Sequence, residues 1–340
     1  MTDPINLAVV GCGAIADWHL DAIDRASAPF TVTAAVDPNP ESAQRIVDRT
    51  GATAYDSLGS ALSARTFDAT LLALPHHLHE PVAIEALTGG VHVLLEKPMA
   101  PTLDACDRIL AAAAASDRVF MIAENAQYWP EALVVRDFLA DGAIGDIVTA
   151  RAATFFPPLG AFYESSAGGD KPWRFDRDAA GGGVVIDTGS HWLRPLRMWL
   201  GEADETVAAL GRPRAEMEGE SLCRALVRFE SGVVAAFDAM LTSGAIANQP
   251  LFTVTGTKGE LTVEGSGWVK LWDGSDWKGK KVGEQGGYLR SYEGEWLDFA
   301  SAIQRGTPPA ATAEYALGEL RLALAMYRSA ETGRWEKVWA

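Results

Sequence analysis

Lys97 stands directly after an apolar run, Val91-His92-Val93-Leu94-Leu95, in the tripeptide Glu96-Lys97-Pro98. Such a run reads as a buried parallel strand. A cation at its end lies at the carboxyl edge of a sheet, where open α/β sheets bind ligands. A second pair, Asp187 and His191, follows three glycines, Gly181 to Gly183, at a spacing of four. In a helix that spacing puts both side chains on one face. Histidine is the natural base for an alcohol proton near neutral pH, and a carboxylate beside it orients the imidazole or holds a substrate hydroxyl. The bland alternative makes Asp187 an N-cap and His191 an ordinary helix residue.

The N-terminal motif Gly11-Cys12-Gly13-Ala14-Ile15-Ala16 fits the G-x-G-x-x-G/A pattern, after an apolar strand and at the start of a helical stretch. Gly11 permits the tight turn, Gly13 lets backbone approach a pyrophosphate, and Ala16 lets helix and strand pack. The helix N-terminus offers free N–H groups and a positive dipole to phosphates. A dinucleotide is therefore expected, and Lys97 is placed toward its nicotinamide end. Asp37 ends the second strand, where an acidic residue bonds the adenosine ribose. Its charge repels a 2′-phosphate and Pro38-Asn39 brings no cation, so NAD is favoured. Arg45, if turned toward this site, keeps NADP open. Asp37 read blandly is a turn residue before Pro38. Leu74-Pro75-His76-His77-Leu78-His79 ends the third strand. These histidines share one short loop without Cys or carboxylate at ligand spacing, so no metal is expected. His76 and His79 are expected to line the cofactor crevice or cap the next helix.

The elements that position these groups are legible from periodicity. Strand-like runs at Asn6–Val10, Thr31–Val36, Ala69–Leu74, Val91–Leu95 and Val119–Ala123 alternate with helical patterns at Ala14–Ile23, Glu41–Thr50, Glu80–Thr88 and Leu103–Ala115. This predicts an α/β, doubly wound parallel sheet over residues 1–124. Residues 125–340 predict an α+β domain with a large, mostly antiparallel open sheet. Its strands are Ile147–Phe156, Ser221–Phe229, Val233–Leu241, Leu251–Thr255, Leu261–Val263 and Trp268–Trp272, several joined by short Gly, Ser, Lys or Asp turns. Helices are predicted at Pro130–Ala140, Ser190–Leu200, Glu293–Gln304 and Ala313–Ala330. The reacting groups are expected in a cleft between the two domains.

Composition narrows the class. The 340 residues suffice for two domains with real cores, and 48% are hydrophobic. A net charge of −16 makes nucleic acid and anionic membranes poor partners. Three scattered cysteines form neither a disulfide framework nor a zinc pattern, which favours a reducing cytoplasm. The N-terminal apolar segment reads as a strand rather than a signal peptide.

In combination these motifs resemble the glucose–fructose oxidoreductase / inositol dehydrogenase (Gfo/Idh/MocA) family. The resemblance rests on the Gly11 motif, Asp37, Pro75 with His79, Gly90 through Pro98, Ala123-Glu124-Asn125, Gly181 through His191 and Tyr327 through Gly333. It implies a Rossmann domain followed by a substrate-binding and oligomerisation domain. His76 stands where the family often has Asn, and Arg194 where inositol-type members often carry Asp. Carried over residue by residue, the cofactor would be held by Gly11, Cys12, Gly13, Ala14, Ile15, Asp37, Leu74, Pro75, His76, His79, Glu96, Lys97 and Asn125. His191 would be the general acid/base, Lys97 would bond the reacting oxygen, and Asp187 would bind a neighbouring hydroxyl. The physics agrees, because hydride departure needs a polarised or deprotonated alcohol. The resemblance also implies a cis peptide before Pro98.

The implied substrate is a sugar, cyclitol or keto derivative. Tyr128, Phe155, Phe156, Tyr163, Trp173 and Arg174 are candidates to line it, since aromatic rings cover apolar sugar faces. The same rings could pack a loop at a subunit interface. Lys171 and Arg174 are candidates for a substrate carboxylate or phosphate. The expected activity is NAD(P)-dependent interconversion of a secondary ring alcohol and a ketone, in a cytoplasmic homodimer or homotetramer joined through the C-terminal sheet. Rival readings are a glycosidase that oxidises its substrate transiently, an NADPH-preferring keto-sugar reductase, and a non-catalytic redox sensor.

Overall fold

The computed structural model describes residues 4–156, 172–242, 244, 247–282 and 287–340. Tyr163 and Lys171, expected near the substrate, lie outside the described residues, as does the side chain of Phe156. The first stretch of chain alternates β1 (Ile5–Val10), α1 (Ala14–Ala26), β2 (Phe30–Val36), α2 (Pro40–Thr50), β3 (Thr53–Tyr55), α3 (Leu58–Ala64), β4 (Ala69–Leu72), α4 (His79–Thr88), β5 (His92–Glu96), α5 (Leu103–Ala115) and β6 (Phe120–Ala123). Then follow α6 (Pro130–Ala140), β7 (Ile147–Phe156), α7 (Ser190–Leu200), β8 (Ala203–Gly211), β9 (Leu222–Phe229), β10 (Val234–Leu241), β11 (Phe252–Gly256), β12 (Glu260–Val263), β13 (Trp268–Trp272), β14 (Trp277–Lys281), α8 (Tyr288–Arg305), α9 (Ala313–Thr332) and β15 (Glu336–Lys337). The chain divides into two compact units. One holds the described residues within 1–124, 164–181 and 292–317; the other holds those within 125–163, 182–291 and 318–340.

The first unit is a parallel sheet in the order β3-β2-β1-β4-β5-β6. The order reverses direction between β1 and β4, which makes that gap the ligand crevice of a doubly wound sheet. Local chemistry explains the helix ends. Asn39 accepts the Glu41 N–H with Pro40 in the first turn, and α2 stops at Gly51 with φ +76°. Thr102 caps α5 through the Ala105 N–H. β3 and α3 carry too few apolar residues to have been expected. Residues 292–317 complete this unit. Trp296 meets Phe30 edge-to-face at 4.8 Å and Phe299 stacks on it, while the Ile122 N–H donates to the Ala311 carbonyl beside β6.

The second unit is a nine-stranded sheet, β14-β13-β12-β11-β7-β10-β9-β8-β15, antiparallel throughout except for β7 with β10. β9 alternates strictly, with Cys223, Ala225, Val227 and Phe229 buried and Arg224, Leu226 and Arg228 outward. The apolar face carries an aromatic cluster in which Trp129 meets Trp192, Phe252 and Tyr288 edge-to-face, and the Trp199 indole donates to the Ala132 carbonyl at 3.0 Å. No helix among the described residues is long and apolar enough to cross a membrane.

Candidate functional site

In the first unit the fingerprint has the shape a pyrophosphate needs. Gly11 lies at φ +87°, and a Cβ there would sit 2.2 Å from the Ala73 carbonyl oxygen. Only glycine tolerates both conditions. A Cβ at Gly13 would project into open space, and Gly13 caps α1 without any side-chain hydrogen bond. The first-turn N–H groups of α1, from Ala14 and Ile15 onward, thus have no side-chain cap, and anions bind at such ends. Ala16 is fully buried against the sheet. The Asp37 carboxylate accepts the Cys12 N–H at 2.8 Å and the Asn39 N–H at 2.8 Å, so it braces the fingerprint loop. The Cys12 thiol is pushed up to about 12, first by burial and then by the Asp37 charge, and it stays protonated. Arg45 reaches the same loop from α2; its guanidinium pairs with Asp17 and donates to the carbonyls of Cys12 and Gly13.

Lys97 follows β5, half-buried, and the Lys97–Pro98 peptide is cis. Its N–H donates to Glu96 at 3.0 Å. The other Glu96 oxygen faces His19 Nε2 at 2.9 Å, and the Trp296 indole N–H donates to His19 Nδ1 at 3.1 Å. An indole nitrogen only donates, so Nδ1 accepts and the His19 proton sits on Nε2, directed at Glu96. His79 is fully buried, with Nδ1 2.8 Å from the Pro98 carbonyl and Nε2 2.9 Å from the Leu74 carbonyl. Burial lowers its pKa, and the neutral ring donates its one N–H to one of these two carbonyls, wedged between the loop after β4 and the Lys97-Pro98 turn. Pro75 begins the short turn that carries His76.

His76 is buried and its Nδ1 lies 2.7 Å from the Ala180 carbonyl. Carbonyls only accept, so Nδ1 carries a proton and donates it. The Trp173 ring meets His76 edge-to-face at 4.6 Å, and the Arg174 guanidinium lies 4.3 Å over the Trp173 ring. Trp173 and Arg174 therefore belong with the loops of the parallel sheet.

The second unit holds Asp187 and His191. The glycines before them serve packing: Gly181 ends a short helical turn at φ +80°, a Cβ on Gly182 would lie 2.2 Å from the Tyr327 hydroxyl, and one on Gly183 would lie 1.9 Å from the Glu220 carbonyl. The run thus turns the chain at Gly181 and lets other segments pass close at Gly182 and Gly183. Asp187 lies in a π-helical turn, Val185–Gly189, in which the Gly189 N–H reaches back five residues to the Val184 carbonyl at 2.7 Å. Such turns concentrate at functional sites. His191 lies in the first turn of α7, and its ring meets Tyr288 edge-to-face at 5.6 Å. Asp187 is 4% exposed and His191 5%. Glu220 supports this turn by accepting the Val185 N–H at 2.9 Å and the Tyr327 hydroxyl at 3.0 Å. Burial raises the pKa of Glu220 and, with the Glu220 charge, drives that of Tyr327 well up.

Other candidates fall into place separately. Asn125 is buried and donates to Ser291 at 2.6 Å; Tyr128 is half-buried in the following turn; Phe155 carries the Arg224 guanidinium 5.3 Å from its ring. Arg194, which stands where inositol-type members often carry Asp, is fully buried and holds Glu319 through two bonds of 2.8 and 3.0 Å and Gln127 through one of 2.9 Å. Sequence reasoning missed His19, Glu220 and Glu295. A lone histidine or glutamate in a helix or loop carries no local signal, because its partners lie far along the chain.

Residues 5–124 match the family model described as the oxidoreductase family, NAD-binding Rossmann fold, and residues 136–338 match its C-terminal alpha/beta domain. A 1,5-anhydro-D-fructose reductase of Ensifer adhaerens is 31% identical over 278 residues, 78% of each chain. A levoglucosan dehydrogenase of Pseudarthrobacter phenanthrenivorans is 26% identical over 213 residues, 56% of this chain and 53% of that one. An oxidoreductase structure from Thermotoga maritima superposes with a TM-score of 0.86 at 26% identity over 99% of both chains. A levoglucosan dehydrogenase in complex with NADH and levoglucosan superposes with a TM-score of 0.86 over 99% of this chain and 100% of that one; at 22% identity it speaks to the fold. With both domain models matched in order, and with a fingerprint shaped for a dinucleotide, this chain belongs to the Gfo/Idh/MocA family of NAD-binding oxidoreductases.

Proposed function

We propose that the protein is an NAD-dependent dehydrogenase that interconverts a secondary ring alcohol and a ketone on a sugar or cyclitol. The observation that carries this reading is the residue set itself. An ammonium follows β5, one strand removed from the dinucleotide crevice, and a carboxylate and an imidazole stand four apart on a π-bulged helix start. Relatives named for 1,5-anhydro-D-fructose, inositol and levoglucosan support a polyhydroxylated substrate. When bound, the nicotinamide supplies the hydride acceptor. His191 takes the hydroxyl proton as the hydride leaves the carbinol carbon, and the electron pair of the broken O–H bond becomes the second carbon–oxygen bond of the ketone. Lys97 hydrogen-bonds that oxygen and stabilises its developing charge. Asp187 accepts a hydrogen bond from a neighbouring hydroxyl. His76, Trp173 and Arg174 form one wall for the substrate, and Tyr128 and Phe155 are further candidates. Asp37, held on the fingerprint, favours NAD, because its charge opposes a 2′-phosphate. Self-association through the second sheet, on whose outward face Leu226 lies exposed, into a homodimer or homotetramer is part of this proposal.

The test is a panel of inositols, anhydrosugars, aldoses and polyols with NAD, read by absorbance of reduced cofactor. Net NADH formation with a ring polyol is expected. Sugar release without net NADH, or no turnover with any polyol or keto-sugar in either direction, would refute the reading.

A further inference from the structure

We propose that the Asp17–Arg45 ion pair is a cofactor-specificity device: it keeps a guanidinium that lies beside the fingerprint from serving a 2′-phosphate. The inference rests on the NAD reading above and explains how the discrimination is built. Cys12 is the common point. Its N–H donates to Asp37, while its carbonyl accepts from Arg45. The carboxylate that opposes a 2′-phosphate and the cation that would welcome one therefore flank a single residue. Arginine is the side chain best shaped to grip phosphate, through paired N–H donors. Left to itself, Arg45 would offset Asp37.

What prevents this is the way its donors are directed. One terminal nitrogen pairs with Asp17, in the first turn of α1; the other donates to the carbonyls of Cys12 and Gly13. The guanidinium is thus turned under the loop, its charge balanced by Asp17. The next cation along α2, Arg49, is drawn off in the same manner, by Asp21 at 2.8 Å and Asp24 at 2.7 Å. The side chains of Arg45 and Asp17 are 42% and 37% exposed. An exposed pair of this kind adds little to stability, so Asp17 can be removed without unfolding the domain. Its importance is directional.

The experiment measures Kd for NADH and NADPH by isothermal titration calorimetry on the wild type and on Asp17→Ala, Asp17→Glu and Asp17→Ala/Arg45→Met. Wild type binds NADH more tightly. Asp17→Ala is expected to tighten NADPH at least about fivefold while NADH moves by less than about twofold. Asp17→Glu restores the wild-type ratio, and Arg45→Met in the Asp17→Ala background erases the gain. An unchanged NADPH/NADH ratio in Asp17→Ala, a parallel loss of both cofactors, or a gain that survives Arg45→Met would each overturn the inference. Those results leave the NAD reading standing. A wild type that binds NADPH more tightly would overturn both.

Discussion

Replacing Glu295 by Gln should change how stability depends on pH, and the expected slope follows from the structure. Glu295 lies on α8 within the first unit with a side chain 0% exposed, and neither carboxyl oxygen has a hydrogen-bond partner among the described residues. His19 Nδ1 is 3.6 Å away but already accepts the Trp296 N–H. Burial, and then the charges of Glu96 and Glu124, push the Glu295 pKa well above 4.5. The folded state therefore keeps a proton that the unfolded chain releases above about pH 4.5. A raised folded pKa gives a contribution that is complete below the unfolded value and is lost as pH rises toward the folded one. One proton corresponds to about 1.4 kcal/mol per pH unit. Gln cannot ionise, so Glu295→Gln lacks this loss. Its amide also needs partners, which adds a pH-independent cost of about 1–3 kcal/mol. The slope is therefore the diagnostic quantity, not the level. Urea unfolding at pH 5, 6 and 7, followed by tryptophan fluorescence, should show the variant gaining on the wild type as pH rises, by up to about 1.4 kcal/mol per unit while Glu295 keeps its proton in the fold. Parallel stability curves for the two proteins would refute the claim that Glu295 is neutral in the fold.

Lys97→Met should lower turnover about 100-fold or more while NADH still quenches tryptophan fluorescence; near-native turnover would remove Lys97 from the reacting oxygen. His191→Ala should lower the oxidation rate about 100-fold or more with NADH binding kept, and near-native turnover would mean that another group takes the proton. Gly183→Ala places a methyl group 1.9 Å from the Glu220 carbonyl and should cost about 3 kcal/mol or more. Thermal unfolding checks this, and a wild-type midpoint would show that the chain crossing is not tight.

The legible part of this fold was local. The runs that became β1, β2, β5 and β7 announce themselves by continuous or alternating apolar residues, and α5 and α7 begin and end where their caps and periodicity place them. β14 gave no such signal, because Trp277-Lys278-Gly279-Lys280-Lys281 is exposed throughout, as suits an edge strand that must repel other edges. β8 was missed because its residues are mixed in polarity and only Ala203 and Val207's neighbour Thr206 are buried. In the candidate site, the fingerprint glycines, Asp37, Lys97, Asp187 and His191 were visible by type and spacing.

Their surroundings were not. Whether Gly181 to Gly183 admit a ligand or a crossing chain depended on Glu220 and Tyr327, which lie far along the sequence. Arg194 departs from the inositol-type pattern by residue type, and only the structure shows it buried against Glu319. The sequence by itself determined element types, the dinucleotide turn and the reacting side chains, because periodicity, capping and glycine dihedrals are properties of neighbours along the chain. The tertiary structure alone decided which charges are paired, as in His19 with Glu96 and Arg45 with Asp17, and which are desolvated, as in Glu295. Pairing and desolvation are set by neighbours through space, and a linear spacing carries no record of them.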